Sequence, residues 1–132
     1  MKKLTVITAF VFTSAALAAY AHGGATGIVK ERMDGMMAMG KALTIVGDML
    51  KGKVELQPEQ VVAAATIVKE HAAEIDQLFP DSEASRSGKG TEALASVWDS
   101  RQEFVALAEE LEKRAAELET TASSGDKRAI RI

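Results

Sequence analysis

The sequence predicts an all-α chain with three long helices and the first turns of a fourth. Three observations carry that expectation. Ala, Glu, Lys, Leu and Met dominate, while aromatic residues make up only 5% of the 132, a composition that favours helix over strand. Apolar residues return in alternating steps of three and four, the period of one helical face. The two prolines, Pro58 and Pro80, fall at segment edges rather than inside them.

The amino terminus comes before any helix of the domain. Lys2 and Lys3 precede an apolar stretch from Leu4 to Ala19, broken only by Thr5, Thr8, Thr13 and Ser14. Ala19-Tyr20-Ala21 then fits the small-x-small pattern at which secretory signals are cleaved. The run is short for a membrane span and no second apolar run follows it. Residues 1–21 are therefore expected to be a cleaved signal and residues 22–132 the exported domain, with no membrane attachment after cleavage. The whole chain has a net charge of −3, and losing Lys2 and Lys3 makes the remainder more acidic. No basic patch is left that could track a phosphate backbone, which excludes a nucleic-acid partner. The sequence holds no cysteine, so an exported domain of this size must be held by packing or by a bound group rather than by disulfides.

The first helix is expected to run up to Lys51-Gly52-Lys53, a glycine stop. Ile28, Arg32, Met36, Met39, Leu43, Val46 and Leu50 form its predicted face. Gly35, Gly40 and Gly47 lie inside it, each costing about 1 kcal/mol relative to alanine, which suggests that something presses close to the backbone. Pro58 suits the first turn of the second helix, with Glu59 favoured there by the helix dipole. Its stripe is Val61, Ala65, Val68, Ala72, Ile75 and Phe79, and Pro80 ends it. Residues 81–90 read as loop. The third helix begins between Thr91 and Asp99 and carries Val97, Phe104, Ala108, Leu111, Ala115 and Leu118 on its core line. Residues 120–125 are expected to be a break, after which Asp126 caps a fourth helix that reaches only Ile132.

The chemistry-bearing residues are few. Five of the six methionines, Met33, Met36, Met37, Met39 and Met49, fall in the first helix. A thioether can pack a core or ligate a soft metal. Arg32 interrupts the same face, and a guanidinium there calls for a carboxylate, an anionic ligand, or an edge position from which it snorkels to water. His71, between Glu70 and Glu74, reads as a boundary residue rather than a ligand. His22 would become the new amino terminus, where its two nitrogens can chelate copper. Trp98 should pack in the core with its indole N–H bonded. There is no Ser/His/Asp triad and no phosphate-binding glycine loop, and paired carboxylates occur only on solvated faces. Side-chain catalysis is not expected.

The run Lys30-Glu-Arg32-Met-Asp-Gly-Met36-Met-Ala-Met-Gly40, in an exported, acidic, alanine-rich chain, resembles the class II c-type cytochromes, the cytochrome c-prime family, and within it the low-spin, methionine-ligated branch. The likeness continues through the Pro58 helix, Leu78-Phe79-Pro80 and the Val97-Trp98 helix opening to Arg131. It implies an antiparallel four-helix bundle around a covalently attached haem c, serving as a one-electron carrier in the periplasm rather than as an enzyme. It implies Met36 as the axial iron ligand, Arg32 beside the haem propionates, and Met39 and Leu43 packed on the ring. Periplasmic redox proteins would be its partners, and a homodimer is possible in such a family. The chain departs from the family where the fourth helix should carry Cys-x-x-Cys-His: it has no cysteine and no histidine after His71. The implied bundle is thus one with its fourth helix truncated. Two other readings stay open: a haem-free exported helical-bundle binding protein, and a periplasmic copper-binding protein using Met33, Met36, Met37 and Met39, with or without His22.

Overall fold

A computed structural model describes residues 24–131 of the chain. The expected signal segment and His22 lie outside the described residues. The described part is helical, with six elements: α1 Gly27–Leu50, α2 Pro58–Leu78, α3 Glu83–Ser87, α4 Ser96–Asp99, α5 Arg101–Ser123 and α6 Lys127–Ile130. Their boundaries follow local chemistry. Helix α1 ends at a left-handed Gly52, φ +72°. Pro58 stands in the first turn of α2 with Glu59 beside it. Asp126 caps α6 by accepting from the backbone N–H groups of Arg128 at 2.8 Å and Ala129 at 3.3 Å.

The three long helices run antiparallel, with α2 in the middle. Gly35 of α1 meets His71 of α2. On the other side of α2, Glu119 of α5 accepts from Thr66 at 2.7 Å and pairs with Lys69, while Arg101 at the start of α5 bonds the Asp76 carboxylate near the end of α2. Every expected stripe residue of α2 is buried: Val61, Ala65, Val68, Ala72, Ile75 and Phe79. A helix sandwiched between two others needs this double coverage, and the alanines Ala64, Ala65 and Ala72 let both neighbours approach. Helices α1 and α5 flank α2 and leave a groove between them.

The buried face of α1 differs from the expected one. It consists of Val29, Arg32, Gly35, Met39, Ala42, Val46 and Met49. Arg32, Met39 and Val46 were on the expected line, but Ile28 is only half-buried, and Met36, Leu43 and Leu50 are exposed. The apolar stripe of α1 is broad, and α2 covers the edge bearing the small residues Gly35 and Ala42. The bulky edge faces the groove. Of the three interior glycines, only Gly35 has a close neighbour, with a Cβ there lying 3.3 Å from the His71 ring; Gly40 and Gly47 face open space.

Two further expectations need correction. The polar run at 81–90 is not all loop, because Ser82 accepts from the Ser85 N–H at 3.3 Å and caps the short α3. Helix α5 continues through the expected break to Ser123, drawn on by Ala122, which is 1% exposed in the core. Ile130 is buried too, and Lys127 pairs with Glu55 at 3.0 Å, so α6 closes the end of the bundle where α1 turns into α2.

At the opposite end, the segment 79–100 forms the lid of the core. Trp98 is 7% exposed, and its Nε1–H lies 3.0 Å from both the Phe79 and the Pro80 carbonyl oxygens. Phe79 meets Phe104 edge-on at 5.0 Å between centroids and Trp98 at 6.4 Å. These aromatic contacts seat the beginning of α5 against the end of α2.

Candidate functional site

The groove between α1 and α5 contains two cavities. The upper one, of about 440 Å³, is lined by Arg32, Met33, Met36 and Met37 from α1, by Phe79, by Gly90–Ala93 and Val97 of the lid, and by Phe104 of α5. The lower one, of about 130 Å³, has Ala64, Ala65 and Val68 of α2 as its floor. Its walls are Ala42, Leu43 and Val46 on one side and Leu111, Arg114, Ala115 and Leu118 on the other. The half-buried state of Phe104, Leu111 and Leu118 on the expected core line of α5 follows from this opening.

Arg32 is the polar anchor of the upper cavity. It is 4% exposed, donates from Nη1 to Ser85 Oγ and from Nη2 to the Ser85 carbonyl, each at 2.9 Å, and also donates from Nη2 to Thr91 Oγ1. Its guanidinium lies over the Phe79 ring at 4.7 Å and within 5.9 Å of the Trp98 ring. It therefore neither snorkels to water nor meets a carboxylate. Neutral oxygens and aromatic faces hold it, and burial lowers its pKa below the ordinary guanidinium value. Ser85 is itself 0% exposed. Neither Ser85 nor Thr91 stood out in the sequence, where Ser85 sits in the polar run read as loop and Thr91 at the earliest expected start of the third helix. The only advance signal was the cap spacing from Ser82 to Ser85.

The four expected haem contacts divide between locations. Arg32 and Met36 line the same cavity, and Met36 is 47% exposed, with its thioether side chain free to meet a ligand. Leu43 lines the lower cavity two turns further on. Met39 is 6% exposed, belongs to the α1–α2 core and lines neither cavity. Met33 and Met37, which no haem contact was expected to involve, stand beside Met36.

His71 lies on the other side of α1, in a polar cleft with Glu31, Asp34 and Glu74, its Nδ1 3.6 Å from Glu74. It is a boundary residue as expected. Among the described residues no three of His, Cys, Asp and Glu are placed to hold a metal ion.

Comparison with protein families decides the kinship. The family described as Cytochrome C' matches residues 27–132, nearly the whole of the described chain. The chain belongs to the Cytochrome C' family. No curated protein and no solved structure gave a match. Membership makes the chain kin to haem-binding cytochromes built on helical bundles, and the all-helical architecture agrees with that.

How well this member fits a haem can be read from its donors. A c-type haem needs an apolar slot, a proximal axial donor and two cysteine sulfurs, with a second axial donor on the other face in the six-coordinate case. The upper cavity offers apolar walls in Phe79, Val97 and Phe104, with the exposed side chain of Met36 beside them. The sequence has no cysteine, and the described histidine, His71, opens away from the groove. The residues present thus supply an apolar wall, but neither the two cysteine sulfurs nor, among the described residues, a histidine that lines it.

Proposed function

We propose that this chain forms the distal, methionine-bearing part of a periplasmic c-type cytochrome, a one-electron carrier, and that the helix with Cys-x-x-Cys-His is supplied from outside it. The observation that carries this reading is the open groove. Met36 and Leu43 of α1, which line the groove's two cavities, are 47% and 51% exposed, and Leu107 of α5, between Phe104 and Leu111 on one helical stripe, is 63% exposed, the kind of clustered apolar surface that marks a binding face. A fourth helix with a haem on its inner side would cover that surface. Haem would supply the electron-accepting centre. The chain's own part would be to exclude water with Phe79, Val97 and Phe104 and to present the Met36 thioether, a soft donor that favours reduced iron and raises the potential. Arg32, held within the same wall, would keep a positive charge beside the propionates. The apolar segment at residues 4–19 supports export, and periplasmic redox proteins would be the exchange partners. A carrier of this kind is not an enzyme.

Two measurements test the reading. The reading frame past codon 132 should encode Cys-x-x-Cys-His within the length of one helix; its absence in every frame would remove the c-type assignment. The chain as it stands, mixed with free haem, should bind it weakly and without a covalent bond. The absorption spectrum of that complex should change on Met36→Ala and not on Met39→Leu. A spectrum indifferent to Met36 would place the ligand elsewhere.

A further inference from the structure

We propose that Met33, Met36 and Met37 form a binding site for a soft monovalent metal ion of the Cu(I) class. The inference does not depend on the haem reading. The three residues stand at i, i+3 and i+4 on α1, so Met33 sits one turn before the other two and their side chains share one side of the helix. All three line the same 440 Å³ cavity. Met36 and Met37 are 47% and 40% exposed, and Met33 is half-buried. Exposed apolar side chains that stand together in one cavity, rather than singly, are the kind of surface that marks an interaction site. Each has three rotatable bonds and a polarizable sulfur, so three thioethers can converge on one ion without moving the backbone. Met37 lies on the ridge between this cavity and the outer α1–α2 groove, where its side chain has room to turn either way.

The donor set selects the ion. Thioethers bind Cu(I) and its analogue Ag(I) in preference to hard or borderline cations, and because the trio is neutral a monovalent ion leaves less uncompensated charge at the site than a divalent one would. Met39 and Met49 are excluded as donors, because they are 6% and 1% exposed in the core. The nearby positive charge of Arg32 is turned toward Ser85 and Thr91, which hold the guanidinium through hydrogen bonds. Phe79 and Phe104 line the same cavity and supply apolar surface beside the ion. Binding is ligand exchange without a redox step: the ion arrives as Ag(I), or as Cu(I) kept reduced by ascorbate, and leaves its solvent ligands behind.

The test titrates the full chain with Ag(I), and separately with Cu(I) under ascorbate, while following the ε-methyl resonances of isotopically labelled methionines. One ion should bind per chain, shifting the Met33, Met36 and Met37 methyls and leaving Met39 and Met49 in place. Met33→Leu and Met37→Leu should each weaken binding by roughly tenfold or more, a loss in the range seen when one supporting contact of a metal site is removed. The triple leucine variant should abolish binding while keeping its helical circular dichroism, since Met-to-Leu changes conserve volume. Shifts confined to Met1, binding unchanged in the triple variant, or no saturable uptake would each overturn the site. Met33 and Met37 also separate this proposal from the haem reading, which uses Met36 alone among the three.

Discussion

Arg32 spans the gap between α1 and the lid by bonding one residue twice: the Ser85 hydroxyl and the Ser85 carbonyl each accept from its guanidinium at 2.9 Å. The bond to the carbonyl survives any change of side chain, whereas the bond to the hydroxyl does not. Ser85→Ala should therefore cost about 1–3 kcal/mol, the range for leaving a buried charged donor short of an acceptor. Arg32→Lys should cost at least as much, because an ammonium cannot reproduce the planar fork or its stacking on Phe79. Urea denaturation of the three proteins measures both. Equal stability of Ser85→Ala and the parent would mean that water replaces the hydroxyl freely.

Gly88 and Gly40 should respond in opposite directions to the same substitution. A Cβ on Gly88 would lie 2.2 Å from the Ala84 carbonyl oxygen and 2.7 Å from a Val29 methyl. Gly88→Ala must therefore shift the lid against α1, at a cost of about 1–3 kcal/mol typical of overpacking. Gly40 is in the interior of α1 and faces open space, so Gly40→Ala should stabilise the helix by up to about 1 kcal/mol. Thermal midpoints of the two variants should bracket that of the parent.

These two glycines also mark how far the sequence could be read. The all-α class, the Pro58 start, the Pro80 stop, the Asp126 cap and the full stripe of α2 were legible because each rests on local chemistry or on a helix buried from both sides. The face of α1 was only partly legible. Its apolar stripe is wider than its buried strip, and the side chains that decide the contact, Gly35 and Ala42, carry the weakest hydrophobic signal. The setting of Arg32 could not be read at all, since Ser85 and Thr91 are 53 and 59 residues away in sequence. Helical spacing put Arg32 and Met36 on one face of the first helix, and both line the upper cavity.

Acid should weaken the α2–α5 seam through Glu119. Hydrogen bonds from Lys69 and Thr66 hold its carboxyl below the ordinary carboxylate range. A carboxylate whose folded pKa is depressed contributes its stability above the unfolded value and loses it as the pH falls through the folded one. The contribution is therefore complete at neutral pH and fades below the ordinary carboxylate range. Glu119→Gln should lower the urea midpoint at pH 7 and flatten its fall toward pH 3. Lys69→Met should flatten the same limb, since it removes the main cause of the shift. A parallel fall in parent and Glu119→Gln would assign the acid sensitivity to other carboxylates.

Met49 and Leu43 separate the buried side of α1 from its open side. Met49 is 1% exposed, whereas Leu43, on the expected core line, is 51% exposed in the wall of the lower cavity. Truncating a fully buried side chain removes its transfer energy and leaves a void, so Met49→Ala should cost about 2–5 kcal/mol. Leu43→Ala removes side chain that is already wet and should stay within about 0.5 kcal/mol of the parent. The groove also predicts a difference in surface behaviour. The parent should bind a hydrophobic dye in its native state, and Leu43→Gln combined with Leu107→Gln should diminish that fluorescence without loss of helicity. A chain that closes the groove by drawing α1 onto α5 would erase the first difference, with Leu43→Ala costing as much as Met49→Ala, and would leave the dye unbound. Stability and fluorescence together therefore decide whether the groove stands open in solution, which is the condition that both a haem-bearing helix and an ion at Met33, Met36 and Met37 require.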